Sequence, residues 1–164
     1  MGAPVPCSAL ALDVGRRRIG LAGCDPLGLT VTPLDALWRG SFETESMAIE
    51  GLIRHRRVDV LVIGLPLDNQ QRMTPQALYS RRYGQRLARK LTHSSLPVPV
   101  AWVNEHGSTW SAGERFTLHG DRTGRLDSAA AAVILEQWLR EGPCAEPVTA
   151  ATIPSRAAAT SDSS

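Results

Sequence analysis

The sequence predicts an α/β fold, with a five-stranded mixed sheet covered by helices on both faces. Two observations predict it. Three short apolar segments follow one another without an intervening helix, which indicates an antiparallel meander, and two later apolar segments alternate with helical patterns, which indicates parallel strands. The chain has 164 residues, of which 43% are apolar and 21% charged, so one globular domain with its own core is expected.

The first half of the chain contains the predicted meander and one helix. Residues 9–14 form a nearly continuous apolar run that suits a strand buried on both faces. Residues 18–24 follow a short glycine turn as its hairpin partner. Residues 29–37 are a third strand candidate, in which Pro33 favours an edge or bulged strand because proline cannot donate to a ladder. Residues 43–57 then carry a rough apolar face typical of a helix.

The second half of the chain alternates strands and helices. Residues 58–63 predict another buried strand, closed by a Gly-Leu-Pro segment. Residues 74–92 predict the clearest amphipathic helix, with large apolar residues recurring every four positions. Residues 98–103 predict the last strand, and residues 108–119 and 127–140 predict two further helices.

The domain is predicted to span residues 9–141, after an N-terminal extension of residues 1–8. From residue 142 to residue 164 the composition shifts to Ala, Thr, Ser and Pro, which predicts a disordered tail because little apolar surface can be buried. The three cysteines form no Cys-x-x-Cys pair, so we expect free thiols in a reducing compartment. No secretory signal or membrane-length apolar run is recognisable, and we therefore expect a cytoplasmic protein without a membrane partner.

Three carboxylates occupy positions that are unusual for solvated acids. Asp13 interrupts a buried strand near its end, Glu105 lies just beyond another predicted strand, and Asp127 opens the last predicted helix on the stripe that should face the sheet. Ligands of open α/β sheets bind outside the carboxyl ends of strands, so these acids could meet there. Simpler interpretations also exist: Asp127 could be a helix N-cap, Glu105 could be a solvated loop residue, and Asp13 could bond to turn amides.

A cluster of three acids would favour a divalent cation. Mutual repulsion and burial raise the pKa of clustered carboxyls, and a bound cation reverses that effect. Mg²⁺ or Mn²⁺ is the expected ion, since hard cations prefer oxygen ligands. Metals held by carboxylates can clamp both the attacking water and the leaving oxygen of a phosphodiester. The predicted catalytic and metal-binding residues are Asp13, Glu105 and Asp127.

Basic residues are clustered although the net charge is only +2. One cluster occupies the turn beside Asp13, a second forms a stripe on the helix of residues 74–92, and a third position lies in a glycine-flanked loop. We predict that these side chains contact the phosphates of a nucleic acid, although a solvated helix face explains the stripe equally well. The predicted substrate-binding residues are Arg16, Arg17, Arg18, Arg82, Arg86 and Arg122.

Four segments resemble the YqgF (RuvX-like) family in order and spacing. They are residues 12–22 (LDVGRRRIGLA) with 25–29 (DPLGL), residues 62–67 (VIGLPL), residues 102–106 (WVNEH) and residues 126–135 (LDSAAAAVIL). The resemblance runs from about residue 9 to residue 141. Four ordered motifs in one domain are far more specific than any one of them.

The resemblance implies a ribonuclease H-like fold and a metal-dependent nuclease that processes the precursor of 16S rRNA. It also implies a relationship to Holliday-junction resolvases. Asp13, Glu105 and Asp127 fall on the family's three acidic positions, and Arg18 matches its basic residue before Ile-Gly. The expected partners are precursor rRNA or branched DNA and the ribosomal subunit, and the expected state is a monomer or weak homodimer.

The sequence departs from the family pattern at two places. Asn104 and His106 replace the charged neighbours of the central acid, and residues 68–74 lack the glycine that is usual in that loop. Two other functions therefore stay open: a Holliday-junction-type DNA resolvase, and a catalytically weak RNA-binding factor in ribosome assembly. A sugar-kinase or actin-like ATPase also opens with Asp-x-Gly, but it needs a second domain for which the domain of residues 9–141 has no room.

Overall fold

The computed structural model describes residues 8–105 and 125–141, which contain five strands and three helices. The predicted helix of residues 108–119, most of the N-terminal extension and the tail of residues 142–164 lie outside the described residues. The elements are β1 (Ala9–Val14), β2 (Arg18–Cys24), β3 (Val31–Trp38), α1 (Phe42–Arg56), β4 (Val60–Pro66), α2 (Pro75–His93), β5 (Val100–Glu105) and α3 (Arg125–Glu141).

The five strands form one mixed sheet in the order β3-β2-β1-β4-β5. β1, β2 and β3 are antiparallel neighbours, and β4 and β5 run parallel to β1. The predicted meander and the edge position of the third strand are confirmed. Pro33 pairs with Ala22 on this edge strand, and the β2–β3 register shifts between Ile19 and Leu21.

Helices cover both faces of the sheet, as predicted. α1 and α2 pack on one face, where large residues of β1 such as Leu10 and Leu12 enter the core. α3 packs on the other face, where β1 presents Ala9 and Ala11. We call these the α1/α2 face and the α3 face. The small residues of β1 allow the alanine-rich helix α3 to lie close to the sheet, with Ile134 buried between them.

Local sequence signals set the helix boundaries. The hydroxyl of Ser41 accepts a hydrogen bond from the Thr44 amide at 3.2 Å, and the hydroxyl of Thr74 accepts one from the Ala77 amide at 3.0 Å. Each satisfies an amide that the first helical turn leaves unpaired. The amphipathic pattern of α2 buries Tyr83, among others, against the sheet. α2 begins at Pro75, where proline's missing amide costs nothing.

Two predicted strand ends are wrong, and both bear on the site. β4 runs through Gly64 to Pro66 rather than closing at Ile63. β5 includes Glu105 as its last residue, where the sequence placed that acid just beyond the strand. Gly64 was read as a boundary because glycine and proline usually interrupt strands, whereas the parallel pairing of Pro66 with Glu105 extends both β4 and β5.

Cys24 is the cysteine that the described residues contain, and it is buried. Burial raises the pKa of its thiol above the ordinary value, so the group stays protonated and unreactive near neutral pH. None of the helices in residues 8–105 and 125–141 combines the length and the apolar character needed to cross a bilayer.

Candidate functional site

Asp13 lies near the end of β1 and is half-buried. Alternation along the strand turns its side chain to the α3 face, together with Ala9 and Ala11. Its partner on β2 is Gly20. The parallel pairing of β1 with β4, continued by one residue past Leu12 and Ile63, brings Gly64 opposite Asp13 on the other side. Asp13 therefore stands between two glycines, which leave space beside its carboxylate.

Glu105 reaches the same place from β5. A Cβ atom on Gly64 would lie only 2.7 Å from the carboxyl carbon of Glu105 and 2.6 Å from Cδ1 of Ile134. The Glu105 side chain is thus folded back over β4, and the residue is 8% exposed. Neighbouring strands lie about 4.8 Å apart. Because this carboxyl lies over β4, it is about one strand spacing from β1, the strand that carries Asp13.

The first turns of α3 lie over the same part of the sheet. The hydroxyl oxygen of Ser128 accepts a hydrogen bond from the backbone amide of Leu21 at 3.2 Å, and Ser128 is fully buried. Leu21 follows Gly20, the strand partner of Asp13. Because Asp127 directly precedes Ser128, its backbone is at this end of the site. α3 begins at Arg125, so the N-cap interpretation of Asp127 is wrong.

The structure thus brings Asp13 and Glu105 to one face of the sheet and carries the backbone of Asp127 to the same end. The Asp127 side chain lies outside the described residues, and within those residues no group of three or more potential metal ligands occurs. Two buried or half-buried carboxylates form an all-oxygen donor set, which fits a hard divalent cation. The role of the three acids as metal ligands stays a prediction.

The predicted basic turn, which carries Arg16, Arg17 and Arg18, lies directly beside Asp13. Arg16 and Arg17 are exposed at its tip. Arg18 is half-buried on β2, with its guanidinium 4.8 Å from the centre of the Trp38 ring. Arg39 supports the turn, because its backbone amide bonds to the Arg17 carbonyl at 2.9 Å and its Nη1 donates to the Gly15 carbonyl at 2.7 Å. The predicted residue Arg122 lies outside the described residues, as does His106, the neighbour of Glu105.

Arg82 and Arg86 do not line the acidic site. They project from α2 on the α1/α2 face, where they border a pocket of about 330 Å³. Both are exposed, and the guanidinium of Arg86 lies 3.9 Å from the centre of the Phe42 ring. The complete lining is Arg39, Gly40, Phe42, Glu45, Tyr79, Arg82, Tyr83 and Arg86.

Glu45 organises this pocket, and sequence reasoning missed it. The residue is 3% exposed and accepts hydrogen bonds from Arg39 Nε at 3.2 Å, the Gly40 amide at 2.8 Å and the Tyr83 hydroxyl at 2.8 Å. A signal was present in the sequence, since Glu45 lies four residues before Ile49 on the stripe of α1 that the sheet buries. An acid on such a stripe needs partners.

The pKa shifts in this network follow from burial and hydrogen bonding. Burial raises the pKa of the Tyr83 hydroxyl well above its ordinary value, and its bond to Glu45 adds to the effect, so Tyr83 stays a donor. Burial by itself lowers the pKa of Arg39, but the bonds to Tyr79 and Glu45 outweigh it and hold that pKa above the ordinary value. The guanidinium remains charged.

We expect Glu45→Gln to lower the free energy of unfolding by about 2–3 kcal/mol, because it weakens charge-assisted bonds and leaves Arg39 without its counterion. Arg39 and Glu45 side chains are 17% and 2% exposed, so solvent screens this pair little. Urea denaturation measures the change. Glu43→Gln in the same helical turn is the matched control and should cost less than about 0.5 kcal/mol. Equal losses in both variants would refute the role of Glu45.

The family described as "RuvX: Holliday junction resolvase" matches residues 7–141 of the chain. A protein of Parasynechococcus marenigrum (strain WH8102) named "Putative pre-16S rRNA nuclease" is 61% identical over 145 residues, which cover 88% of this chain and 89% of that protein. A protein of the same name from Prochlorococcus marinus (strain MIT 9313) is 56% identical over 151 residues, covering 92% and 91%.

Solved structures show the same fold at low sequence identity. RuvC of Thermus thermophilus in complex with a Holliday junction substrate superposes with a TM-score of 0.54 and 12% identity, covering 87% of this chain and 99% of that one. A second Thermus thermophilus RuvC structure gives a TM-score of 0.52 at 13% identity, with coverages of 86% and 99%. The five-stranded mixed sheet with its helices is therefore the ribonuclease H-like fold.

Proposed function

The chain belongs to the RuvX family of Holliday junction resolvases, and from that membership we propose that it is a divalent-metal-dependent nuclease that processes the precursor of 16S rRNA. The names of its relatives support rRNA as the substrate. The proposed setting is the cytoplasm, with the ribosomal subunit as a partner and a monomer or weak homodimer as the active form.

One observation carries the proposal: the Glu105 side chain folds across Gly64 towards Asp13 on the face where α3 begins. Glycine at this position is what permits the approach, since any Cβ would collide with Glu105. Two carboxylates close together in a half-buried site repel one another, and a cation bound between them would offset that repulsion. The arrangement is therefore more consistent with cation binding than with solvated acids.

Asp13, Glu105 and Asp127 would hold the cation. When bound, Mg²⁺ or Mn²⁺ supplies the positive charge that stabilises the charge developing on the phosphodiester. The chain's own part is to fix the carboxylates on rigid elements, two on strands of one sheet and one on the helix packed against it. Hydrolysis then forms a bond from a water oxygen to phosphorus and breaks the bond to the leaving oxygen, which takes up a proton.

The basic turn would position the strand to be cut. Arg16 and Arg17 are exposed next to the end of β1, so they can neutralise phosphates beside the scissile one. Arg18 would act with them from its half-buried position, and Arg122 is proposed for the same role from the sequence. Phosphate contacts of this kind fix the register of the substrate without reading its sequence.

The test is a parallel cleavage assay on precursor 16S rRNA and on four-way DNA junctions, each with Mg²⁺, with Mn²⁺ and with EDTA. We expect cleavage of the precursor RNA with Mg²⁺ and none in EDTA, because the carboxylates then lack their cation. Gel analysis of end-labelled substrates measures both. Equal cleavage in EDTA would rule out the metal-dependent mechanism.

Two other outcomes would reassign the activity. Cleavage of the junction but not of the RNA would favour a DNA resolvase, as the family description and the RuvC complex suggest. RNA binding without turnover in either metal would favour a ribosome-assembly factor. The replaced neighbours of Glu105, which are Asn104 and His106, motivate that alternative.

A further inference from the structure

The pocket on the α1/α2 face has no part in the proposed chemistry, because the sheet separates it from Asp13 and Glu105. The side chains that line it nonetheless form an unusual charge arrangement. Three guanidinium groups, those of Arg39, Arg82 and Arg86, surround one carboxylate. That carboxylate, Glu45, is already satisfied by three donors. The pocket therefore presents an excess of positive charge to solvent.

Arg39 is held ready for a ligand. Its Nε, Nη1 and Nη2 donate to Glu45, to the Gly15 carbonyl and to the Tyr79 hydroxyl, the last at 2.6 Å. A guanidinium has five N–H groups, so two remain after these three bonds, one on each terminal nitrogen. Because Arg39 is already ordered, binding an anion costs little further side-chain entropy.

Arg82 and Arg86 complete the positive wall without ion pairs of their own in the described part of the chain. Arg86 stacks on Phe42, which fixes its direction, while Arg82 is exposed one helical turn earlier. Tyr79 is 43% exposed at the rim, with the Arg39 guanidinium 5.5 Å from its ring centre. An aromatic ring beside ordered guanidinium groups is the combination that single-stranded nucleic acids bind.

We propose that this pocket binds one unpaired nucleotide of the substrate strand, away from the bond that is cut, with its phosphate on Arg39, Arg82 and Arg86 and its base against Tyr79. The inference rests on the proposed nuclease function. The volume of about 330 Å³ lies at the low end for ligand pockets, which suits a single nucleotide rather than a duplex.

The basic turn connects the two sites. Arg39 bonds to the carbonyls of Gly15 and Arg17 from the pocket side, and Asp13 precedes the same turn on the α3 face. A strand bound at the acids can thus continue over Arg16 and Arg17 and place a later nucleotide in the pocket. The pocket would then strengthen binding without contributing to the chemical step.

The test is fluorescence anisotropy of a labelled single-stranded oligouridine in EDTA, titrated with salt. We expect Arg82→Gln to weaken binding roughly tenfold and to reduce the salt slope by about 0.7, the value for one phosphate of a single strand. Arg81→Gln is the matched control: Arg81 is the preceding residue of α2 and is also exposed and positively charged, but it does not line the pocket. Indistinguishable losses in the two variants would overturn the proposal.

Two further binding measurements test whether the ligand is an unpaired nucleotide of a strand. Tyr79→Leu keeps apolar bulk but removes the stacking surface, and it should weaken oligouridine binding roughly tenfold while leaving a duplex RNA unaffected. Equal weakening for the duplex would contradict an unpaired base. Free uridine monophosphate at the oligomer's concentration should displace little of it, and full displacement would overturn the assignment in favour of a free nucleotide.

Binding in EDTA is measured without cleavage. The nuclease proposal and the pocket proposal can therefore fail separately. If wild type cleaves RNA with Mg²⁺ but Arg81→Gln and Arg82→Gln bind alike, only the pocket is refuted. If nothing is cleaved but Arg82→Gln alone loses affinity, the pocket stands as an RNA-binding site and the nuclease proposal fails. In a cleaving enzyme, Arg82→Gln should raise KM and leave kcat nearly unchanged.

Discussion

Asp13→Asn is expected to reduce Mg²⁺-dependent cleavage of precursor 16S rRNA at least about 1,000-fold, since losing a carboxylate ligand removes several kcal/mol of transition-state stabilisation. Asparagine has nearly the size of aspartate but no charge, so a divalent cation is held far more weakly. Single-turnover cleavage with saturating enzyme measures the chemical step directly. The melting temperature should stay within a few degrees of wild type, because relief of repulsion with Glu105 offsets any lost hydrogen bond.

Asp35→Asn is the matched control for this prediction. Asp35 is an exposed residue of β3, in the same sheet, and its substitution removes the same charge. Cleavage by this variant should remain within about twofold of wild type, as expected for a surface change of less than about 0.5 kcal/mol. Undiminished cleavage by Asp13→Asn would exclude that carboxylate from the chemistry and leave the proposed site without its central group.

Gly64→Ala is expected to lower cleavage about 100-fold and to destabilise the fold by about 1–3 kcal/mol. The added methyl would lie 2.7 Å from the carboxyl carbon of Glu105 and 2.6 Å from Cδ1 of Ile134, so both must move. A displacement of about 1 Å at a catalytic group can cost about 100-fold in rate. Cleavage kinetics and urea denaturation measure the two effects on the same protein.

A second substitution separates the effect on stability from the effect on Glu105. Ile134→Val removes the Cδ1 atom that Gly64→Ala would strike, so the double variant should recover part of the lost stability. The collision with Glu105 remains, so cleavage should not recover. Gly51→Ala is the control glycine: it lies within α1, and beyond its chain neighbours and the nearby helix backbone no atom lies within 4 Å of an added Cβ. That variant should gain about 1 kcal/mol and cleave normally. Normal cleavage by Gly64→Ala would show that Glu105 does not need its observed position.

The strands and helices of the described residues follow closely from local patterns. Continuous apolar runs predicted β1 and β4, the four-residue recurrence predicted α2, and Pro33 predicted an edge strand. The inward stripe of α3 was also predicted, with Ile134 buried against the sheet. These signals are local, because burial of one face imposes a fixed period on the sequence.

The positions of Gly64 and Gln71 show where local patterns fail. The sequence predicted that a strand ends before Gly64. In the structure Gly64 lies within β4, and its missing Cβ leaves room for the Glu105 side chain of β5. Gln71 has φ = 61°, a left-handed conformation that glycine adopts at lower cost, and it lies in the loop where the family's usual glycine is absent. The Asp68 carboxylate holds this loop by accepting bonds from the amides of Gln70 and Arg72. Neither feature follows from residue periodicity.

By itself the sequence predicted the element types, the mixed sheet, the family resemblance and the three candidate acids. The tertiary structure decided which residues meet. It folded Glu105 across Gly64 towards Asp13, and it placed Arg82 and Arg86 with Arg39 and Glu45 on the opposite side of the sheet. The physical reason is that side-chain direction within an element is set by a local period, whereas proximity between elements depends on strand order and register, which are fixed only when the whole core packs.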